Sequence, residues 1–288
     1  MSKLLLLKGL PASGKSTYAE ELVSGGGNWV RVNRDLLRTM LHFDRWTGKN
    51  EDATVAAEMA IAGILLSKGR NVVVDDTNLS DSHEEMWKLV AKPMGATYSS
   101  KYFDTTVWEC INRDAKRDKM VGRAVLLNMA MQYNLVEGLD RIVVCDIDGT
   151  VADGTHRQGH LEGDKKDWKT YFSLMHDDLP RFDVYQDAMD EAVAEGGELV
   201  FVSARPEDYR EETEAWLKKH GMDHFHLIMR PKGNKRPDTE VKKRILDKYL
   251  SNYKIIKVYD DRPSVLRDVW IKNLGKDKVV DCGDGIDF

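Results

Sequence analysis

Cysteine is scarce in this sequence. Cys110, Cys145 and Cys282 are its only three, far apart, and no CxxC or Cys/His pair has the spacing of a zinc site. Nothing therefore points to a disulfide framework, and a reducing, cytosolic setting is the expectation. No apolar run approaches the roughly 20 residues of a membrane span, so no membrane partner is expected. The run at 4–7 is too short for the core of a signal peptide. The 7 prolines and 22 glycines are too dispersed for a fibrous or disordered chain. An excess of one charge is also missing. The net charge is −5, so no global field draws the protein to a polyanion, and any nucleic acid must be held by local basic patches. What is present is ordinary: 288 residues with 42% hydrophobic side chains, a length that suggests about two globular domains.

The pattern along the first half alternates short apolar runs with amphipathic stretches. Residues 4–7, 29–32, 71–74 and 97–103 read as strands, and 15–23, 35–41, 52–67, 82–90 and 106–116 as helices. That order predicts an α/β domain with a parallel sheet and right-handed crossovers. A further helix is expected over 124–137, with Gly138 as its stop and apolar positions that serve a core or a homo-oligomer interface. The pattern then restarts. Strands are expected at 141–145, 198–202, 225–229, 254–259 and 278–281, and helices at 184–195, 208–220, 239–250 and 264–273. A polar stretch fills 153–178. The expected organisation is thus two α/β domains, 1–139 and 140–288.

Gly9-Leu10-Pro11-Ala12-Ser13-Gly14-Lys15-Ser16 fits GxxxxGK[ST], between an apolar strand and a helix. Backbone N–H groups of such a loop cradle phosphate oxygens at a helix N-terminus. Gly9, Ser13, Gly14, Lys15, Ser16 and Thr17 are therefore the candidate nucleotide-binding residues, with Lys15 reaching the β- and γ-phosphates and the Ser16 hydroxyl on Mg²⁺. Asn33-Arg34-Asp35-Leu36-Leu37-Arg38 follows the second strand, at the sheet edge where the donor phosphates lie. Asp35 is placed to accept a hydroxyl proton, and Arg38, one helical turn on, to grip an acceptor phosphate. An N-cap carboxylate beside a solvated arginine is the alternative. Asp76, in the run Asp75-Asp76-Thr77-Asn78, repeats that placement after the third strand and is expected to orient Arg38 or metal-bound water; plain turn chemistry competes. The basic run Arg113, Lys116, Arg117, Lys119 and Arg123 reads either as a solvated face or as a lid in which Arg113 and Arg117 cover the donor.

In the second half, Asp146-Ile147-Asp148-Gly149-Thr150 closes an apolar strand. Val202-Ser203-Ala204-Arg205 follows the next strand, Lys242 lies inside a later helix, and Asp260-Asp261 ends another strand. This series resembles the signature of the haloacid dehalogenase-like phosphatases. Asp146 can attack phosphorus and form an aspartyl-phosphate, while Asp148 protonates the leaving alkoxide and then activates water. Mg²⁺ wants hard oxygen ligands, here Asp146, the Asp148 backbone and the pair Asp260 and Asp261. Ser203 and Lys242 are the expected holders of the phosphate oxygens.

A P-loop kinase ahead of such a phosphatase is similar to the T-even-type phage polynucleotide kinase–3′-phosphatases along nearly the whole chain. The resemblance implies end healing of RNA or DNA: ATP or another NTP phosphorylates 5′-hydroxyls, 3′-phosphates are removed, and a ligase acts afterwards. For a phage protein the setting is the host cytoplasm. It further implies that Lys15, Ser16, Asp35, Arg38, Asp76 and Arg117 serve the kinase. Asp146, Asp148, Arg157, Ser203, Arg205, Asp238, Lys242 and Asp261 serve the phosphatase, and Arg230 matches a substrate-contacting arginine. Two departures stand out. Residues 160–178, with Trp168, Tyr171 and Phe172, look longer than the family's usual cap, and Ala204 replaces an expected glycine. Within 153–178, the cations Arg157, His160, Lys165, Lys166 and Lys169 suit a polynucleotide backbone and the aromatics suit bases. The acidic Glu162, Asp164, Asp167, Asp177 and Asp178 temper that reading, and the aromatics equally suit packing of the cap on its own domain. A small-molecule kinase joined to a nucleotide phosphatase, and a non-catalytic module that binds nucleic-acid ends, are the competing functions.

Overall fold

The computed structural model describes residues 1–162 and 166–285. Asp164 and Lys165 therefore lie outside the described residues. The chain divides into two compact units, Met1–Leu135 and Val136–Phe288.

The first unit is built on four parallel strands, β1 (Lys3–Lys8), β2 (Trp29–Val32), β3 (Asn71–Asp75) and β4 (Thr97–Tyr102), in the order β2-β3-β1-β4. Six helices connect and follow them: α1 (Lys15–Ser24), α2 (Arg34–His42), α3 (Gly48–Ser67), α4 (Asp81–Ala91), α5 (Val107–Asp114) and α6 (Arg123–Gln132). Successive side chains of a strand point to opposite faces, and a sheet with helices on both faces must be apolar at every position. The central strands obey this. Leu4, Leu6, Val72 and Val74 join one core with Ala62, Leu66 and Trp87, whereas Leu7 and Val73 join another with Ala19. The P-loop leaves the C-terminal end of the central strand β1. The ends of β2 and β3 bring Asp35 and Asp76 to the same sheet edge.

Helix α6 stops at Gln132, five residues short of the expected end at Glu137. Asn134 turns left-handed at φ 53°, and Asn134 and Leu135 donate back to the carbonyls of Met131 and Ala130. These bonds satisfy the last carbonyls of the helix without a glycine. Leu126, Leu127, Ala130 and Met131 on this helix are buried.

The second unit has a five-stranded parallel sheet, β5 (Arg141–Cys145), β8 (Glu198–Pro206), β9 (His226–Arg230), β10 (Lys254–Asp260) and β11 (Val279–Asp281), in the order β11-β10-β5-β8-β9. A separate two-stranded antiparallel pair is formed by β6 (Ala152–Asp153) and β7 (Leu179–Pro180). The stretch between them carries a 3-10 segment, Thr155–Leu161, and the short helix α7 (Trp168–Ser173). Longer helices follow, α8 (Phe182–Ala194), α9 (Arg210–Lys219) and α10 (Asp238–Ile245), and a continuous helical run covers 263–274 after β10. Val143, Cys145, Leu199, Phe201, Leu227 and Met229 form one core face of this sheet. The chain runs from β5 to β8 on one side and reaches β10 on the other. The crevice outside β5 and β10 is thus a topological switch point, where open α/β sheets hold ligands.

Candidate active sites

In the P-loop, Gly9 has φ 149° and Gly14 φ 102°, and a Cβ on Gly9 would lie 2.9 Å from the Phe103 carbonyl oxygen. Only glycine fits this close approach. The buried Lys15 ammonium donates to the carbonyls of Gly9 at 2.8 Å and Leu10 at 2.6 Å, and to Ser13 Oγ at 3.3 Å. Burial lowers its pKa to about 8, against the opposing pull of Asp75. Ser16 and Thr17 begin α1 and are exposed. Arg113 lies near the loop, with Nη1 3.9 Å from where a Gly14 Cβ would sit. Arg117 is held by the buried Asp114 at 3.2 Å. Asp114 also accepts from the backbone of Val121 and Gly122, which fixes the basic loop.

After β2, Asp35 is exposed in the first turn of α2, where Asn33 caps the helix by accepting from Leu36 N. Arg38 pairs with Asp35, but its main partner is Glu51 of α3: Nε and Nη2 each meet a carboxylate oxygen at 2.9 Å. The expectation that Asp76 orients Arg38 is not met by these contacts. Asp76 instead accepts from Arg34 N at 2.9 Å and faces the buried Glu58, which Arg34 also grips at 2.9 Å. Burial and the hydrogen bond with Asp76 push the Glu58 carboxyl up to about 9. Asp75, passed over in favour of Asp76, is buried at the end of β3, ion-paired with Arg31 and hydrogen-bonded to Ser16. Its place after an apolar strand was the available signal. Glu51 and Glu58 gave none, since only the fold brings α3 against α2.

In the second unit, Asp146 and Asp148 leave the end of β5. Three buried carboxylates, Asp146, Asp260 and Asp261, converge with one oxygen of each within 4.8 Å of the others. Lys242 of α10 answers two of them directly, 2.8 Å from Asp146 and 2.7 Å from Asp260. Burial pushes Asp146 well above its ordinary range; Lys242 opposes this, and Asp260 and Asp261 reinforce it. Burial and Asp260 likewise raise Asp261 to about 6. Oδ1 of Asp146 is buried without a hydrogen-bond partner. An excess of carboxylate and an orphaned oxygen are what a hard divalent cation would satisfy, so the residues fit Mg²⁺. Gly149 is required beside them, since a Cβ there would lie 2.0 Å from an Asp261 oxygen.

Asp148 faces the cap. Arg157 Nη2 reaches it at 2.5 Å and Arg205 Nη2 at 2.8 Å. Burial raises its pKa, but the two guanidiniums outweigh that and hold it below the usual carboxylate range. Both arginines also grip the buried Asp178, Arg157 at 2.6 Å and Arg205 at 3.0 Å. Arg157 lies 4.0 Å over the Tyr171 ring. Asp178, counted above only among the acidic residues of the cap, is thus the inner anchor of a four-residue network. Arg181, not singled out above, ties β7's exit to the Gly149 carbonyl at 2.6 Å.

These residues open on a cavity of about 840 Å³. Its walls include Asp146, Asp148, Arg157, Arg205, Arg230, Asp238, Lys242, Asp261 and the cap's Trp168, Tyr171 and Phe172. Ser203 is fully buried, and its Oγ accepts from Arg205 N at 3.1 Å. Asp238 opens α10 and binds both Arg230 and Arg262. Arg262, also on the wall, was not anticipated. In the cap, Phe172 packs 4.9 Å from Tyr209 and is stacked 5.9 Å from Trp168. The aromatics thus hold the cap to its own domain, while Trp168 stays half exposed.

Residues 140–277 match the family model of the polynucleotide kinase PNKP phosphatase domain, and residues 4–136 match that of an AAA domain. The second unit thus carries a phosphatase domain of the polynucleotide kinase PNKP family. Among curated relatives, a protein of Autographa californica nuclear polyhedrosis virus, named for polynucleotide kinase and RNA ligase functions, is 27% identical over 92% of this chain and 40% of its own length. A bifunctional polynucleotide phosphatase/kinase of Schizosaccharomyces pombe is 33% identical over 31% of this chain and 18% of its own. The chain thus spans two fifths or less of the curated relatives it matches. A chain from a Pnkp1/Rnl/Hen1 RNA repair complex aligns over 99% of this one and 96% of itself, with 27% identity and a TM-score of 0.43. Among the described residues, no helix is long and apolar enough to cross a membrane.

Proposed function

We propose that this chain heals nucleic-acid ends: its first unit phosphorylates 5′-hydroxyls and its second hydrolyses 3′-phosphates. The observation that carries the proposal is the convergence of Asp146, Asp260, Asp261 and Lys242 beneath a cavity walled by arginines, in a phosphatase domain of this family. The cavity's Arg157, Arg205, Arg230 and Arg262 favour a polyanionic substrate.

In the kinase, the acceptor hydroxyl loses its proton to Asp35. The oxygen bonds to the γ-phosphorus of ATP or another NTP, and the bond to the diphosphate leaving group breaks. Lys15, Arg113 and Arg117 offset charge on the transferred group. Arg38, held by Glu51, grips the phosphate next to the acceptor hydroxyl. Ser16 and Asp75, hydrogen-bonded to each other, would be the residues to hold Mg²⁺ there.

In the phosphatase, Asp146 attacks phosphorus, the bond to the 3′-oxygen breaks, and Asp148, kept ionised in the free protein by its two arginines, passes to that oxygen a proton that enters with the substrate phosphate. Water, giving its proton to Asp148, then displaces the aspartate. Lys242, Arg205 and Arg157 hold charge in place during both steps. Mg²⁺ on Asp146, Asp260 and Asp261 would polarise the phosphoryl oxygens. The setting is a reducing cytosol, upstream of a ligase, and the two catalytic domains are taken as 1–139 and 140–288.

An oligonucleotide carrying a 5′-hydroxyl and a 3′-phosphate, incubated with ATP and Mg²⁺, tests the proposal: both ends change. Lys15→Ala and Asp35→Ala abolish only the 5′ reaction, and Asp146→Asn only the 3′ reaction. Loss of both reactions in a folded single variant would sink the two-site assignment.

A further inference from the structure

The kinase unit exposes large apolar side chains next to the residues assigned to the acceptor. Leu36 and Met40 of α2 are 59% and 64% exposed, and in the loop after it Phe43 is 91% and Trp46 68% exposed. Single exposed apolar residues are ordinary, but with Leu41 these make five within eleven positions of one helix and its following loop, which is a patch.

The loop is fixed rather than slack. Phe43 and Asp44 adopt left-handed φ of 51° and 61° in succession. For a non-glycine side chain each costs about 1–2 kcal/mol, so the surroundings must enforce it. They do. Thr39 Oγ donates to Asp44, Lys119 of the basic loop reaches Asp44 at 3.2 Å, Arg45 N donates to His42 O at 2.9 Å, and Asn50 donates to Arg45 O at 2.8 Å. These bonds present the two aromatic rings to solvent. Arg45 and Lys49, interleaved with the rings, are exposed, and neither forms an ion pair among the described residues.

We propose that Phe43 and Trp46 form a stacking platform for the unpaired bases of the acceptor strand, with Arg45 and Lys49 facing its phosphates. This rests on the kinase reading above. Continuity argues for that occupant: Thr39 Oγ lies 3.1 Å from the Asp35 carbonyl while also holding Asp44, so the platform begins one turn from the proposed base and from Arg38. Composition argues the same way. Aromatic rings alternating with free cations match a single strand, in which flat bases alternate with phosphates, and base–aromatic stacking is tolerant of sequence.

The test compares two single-stranded 5′-hydroxyl oligonucleotides, one with normal bases and one abasic at its first few sugars. The wild-type kinase should show a KM for the normal strand at least fivefold below that for the abasic strand. Phe43→Ala/Trp46→Ala should erase the difference, and so should Phe43→Leu/Trp46→Leu, which keeps apolar surface without rings. The KM for ATP should stay unchanged in both variants, which also reports that they fold. If the wild type phosphorylates no oligonucleotide, the kinase reading itself fails. If it does, and the base-dependent difference survives in both variants, the platform is refuted. A KM unchanged by substitution together with loss of self-association in sedimentation would assign the patch to a second copy of the chain instead, and loss of ligase binding alone would assign it to a protein partner.

Discussion

Arg205 meets the Asp148 carboxylate side-on, with Nε 3.1 and 2.9 Å from its two oxygens and Nη2 2.8 Å from one of them. A guanidinium in this fork geometry fixes the orientation of a carboxylate as well as its charge. Asp148 lies two residues after the proposed nucleophile on a tight turn, so its direction decides whether it can reach a leaving oxygen. Arg157 completes the clamp from the cap side, and Asp178 binds both arginines from behind. The cap is thereby coupled to the proposed acid–base residue through buried charge.

Breaking one member of such a buried network leaves an uncompensated charge and costs about 3–5 kcal/mol, whereas replacing a whole pair by neutral groups is often tolerated. Arg157→Met should therefore lower the denaturant stability of the second unit by about that amount and cut 3′-phosphatase turnover at least a hundredfold. The 5′-kinase should remain. Arg157→Met combined with Asp178→Asn should recover much of the stability and none of the turnover. Recovery of both would show that the clamp serves folding only.

Glu58 makes a prediction about pH. Its native pKa of about 9 stands above an ordinary value of 4.5, so the native state holds a proton that the unfolded chain has released. The stabilisation is complete below about pH 4.5 and is lost as pH rises toward 9. Melting temperature should consequently fall across that window in the wild type. Glu58→Gln keeps a donor toward Asp76 without a titrating proton, so its profile should be flatter. Glu58→Ala leaves Asp76 and Arg34 with a missing partner and should cost about 2–4 kcal/mol. A Glu58→Gln profile as steep as the wild type's would mean that the proton sits elsewhere.

Much of this was legible in the sequence because the chemistry lies in contiguous motifs. Gly9–Ser16 and Asp146–Thr150 each carry a strand end, a tight turn and their reactive groups in a few residues, so local pattern sufficed. The parallel sheets followed from alternating apolar runs. What stayed hidden depends on partners distant in sequence. Asp178 looked like one more solvated cap charge until the fold laid it on Arg157 and Arg205, and Glu51 looked like a helix-surface acid until α3 met Arg38. Asp76 was placed at the right sheet edge, but of the two roles weighed for it, orienting Arg38 or metal-bound water, the first is not met by its contacts, which are to Arg34. Two carboxylates at neighbouring strand ends compete for the same cations, and sequence order does not say which wins. Helix ends failed for a similar reason. Gly138 looked like the stop of α6, whereas Asn134 turned the chain first.

Lys15 gives a second pH test. Burial lowers its pKa to about 8 in the free protein, and contact with a triphosphate favours the charged form. Binding therefore takes up a proton above pH 8. ATP affinity should be level below that pH and fall by up to about tenfold per unit above it, measured as Kd by equilibrium titration. Lys15→Arg keeps its charge throughout and should remove the slope, whatever it does to affinity itself. A slope persisting in Lys15→Arg would assign the titration to another group.

Glu51 separates acceptor binding from donor binding. Its two oxygens take Arg38 Nε and Nη2 at 2.9 Å each, while Asp35 takes Nη1 on the exposed side. Asp35 is the proposed proton acceptor, so Glu51 is the partner free to hold Arg38 permanently. Charge-assisted bidentate bonds of this kind contribute about 1.5–3 kcal/mol and, more to the point, a fixed direction. Without Glu51 the Arg38 side chain would swing onto Asp35, blocking the base and withdrawing its own fork from the acceptor phosphate. Glu51→Ala should raise the KM for a 5′-hydroxyl oligonucleotide about tenfold and lower kcat several-fold, with the KM for ATP unchanged. Glu51→Gln, which can hold one of the two N–H groups, should fall between. Both substitutions lie in the first unit and should leave 3′-phosphatase turnover as it is. An effect confined to the KM for ATP would move Arg38 to the donor side and remove Glu51 from acceptor binding.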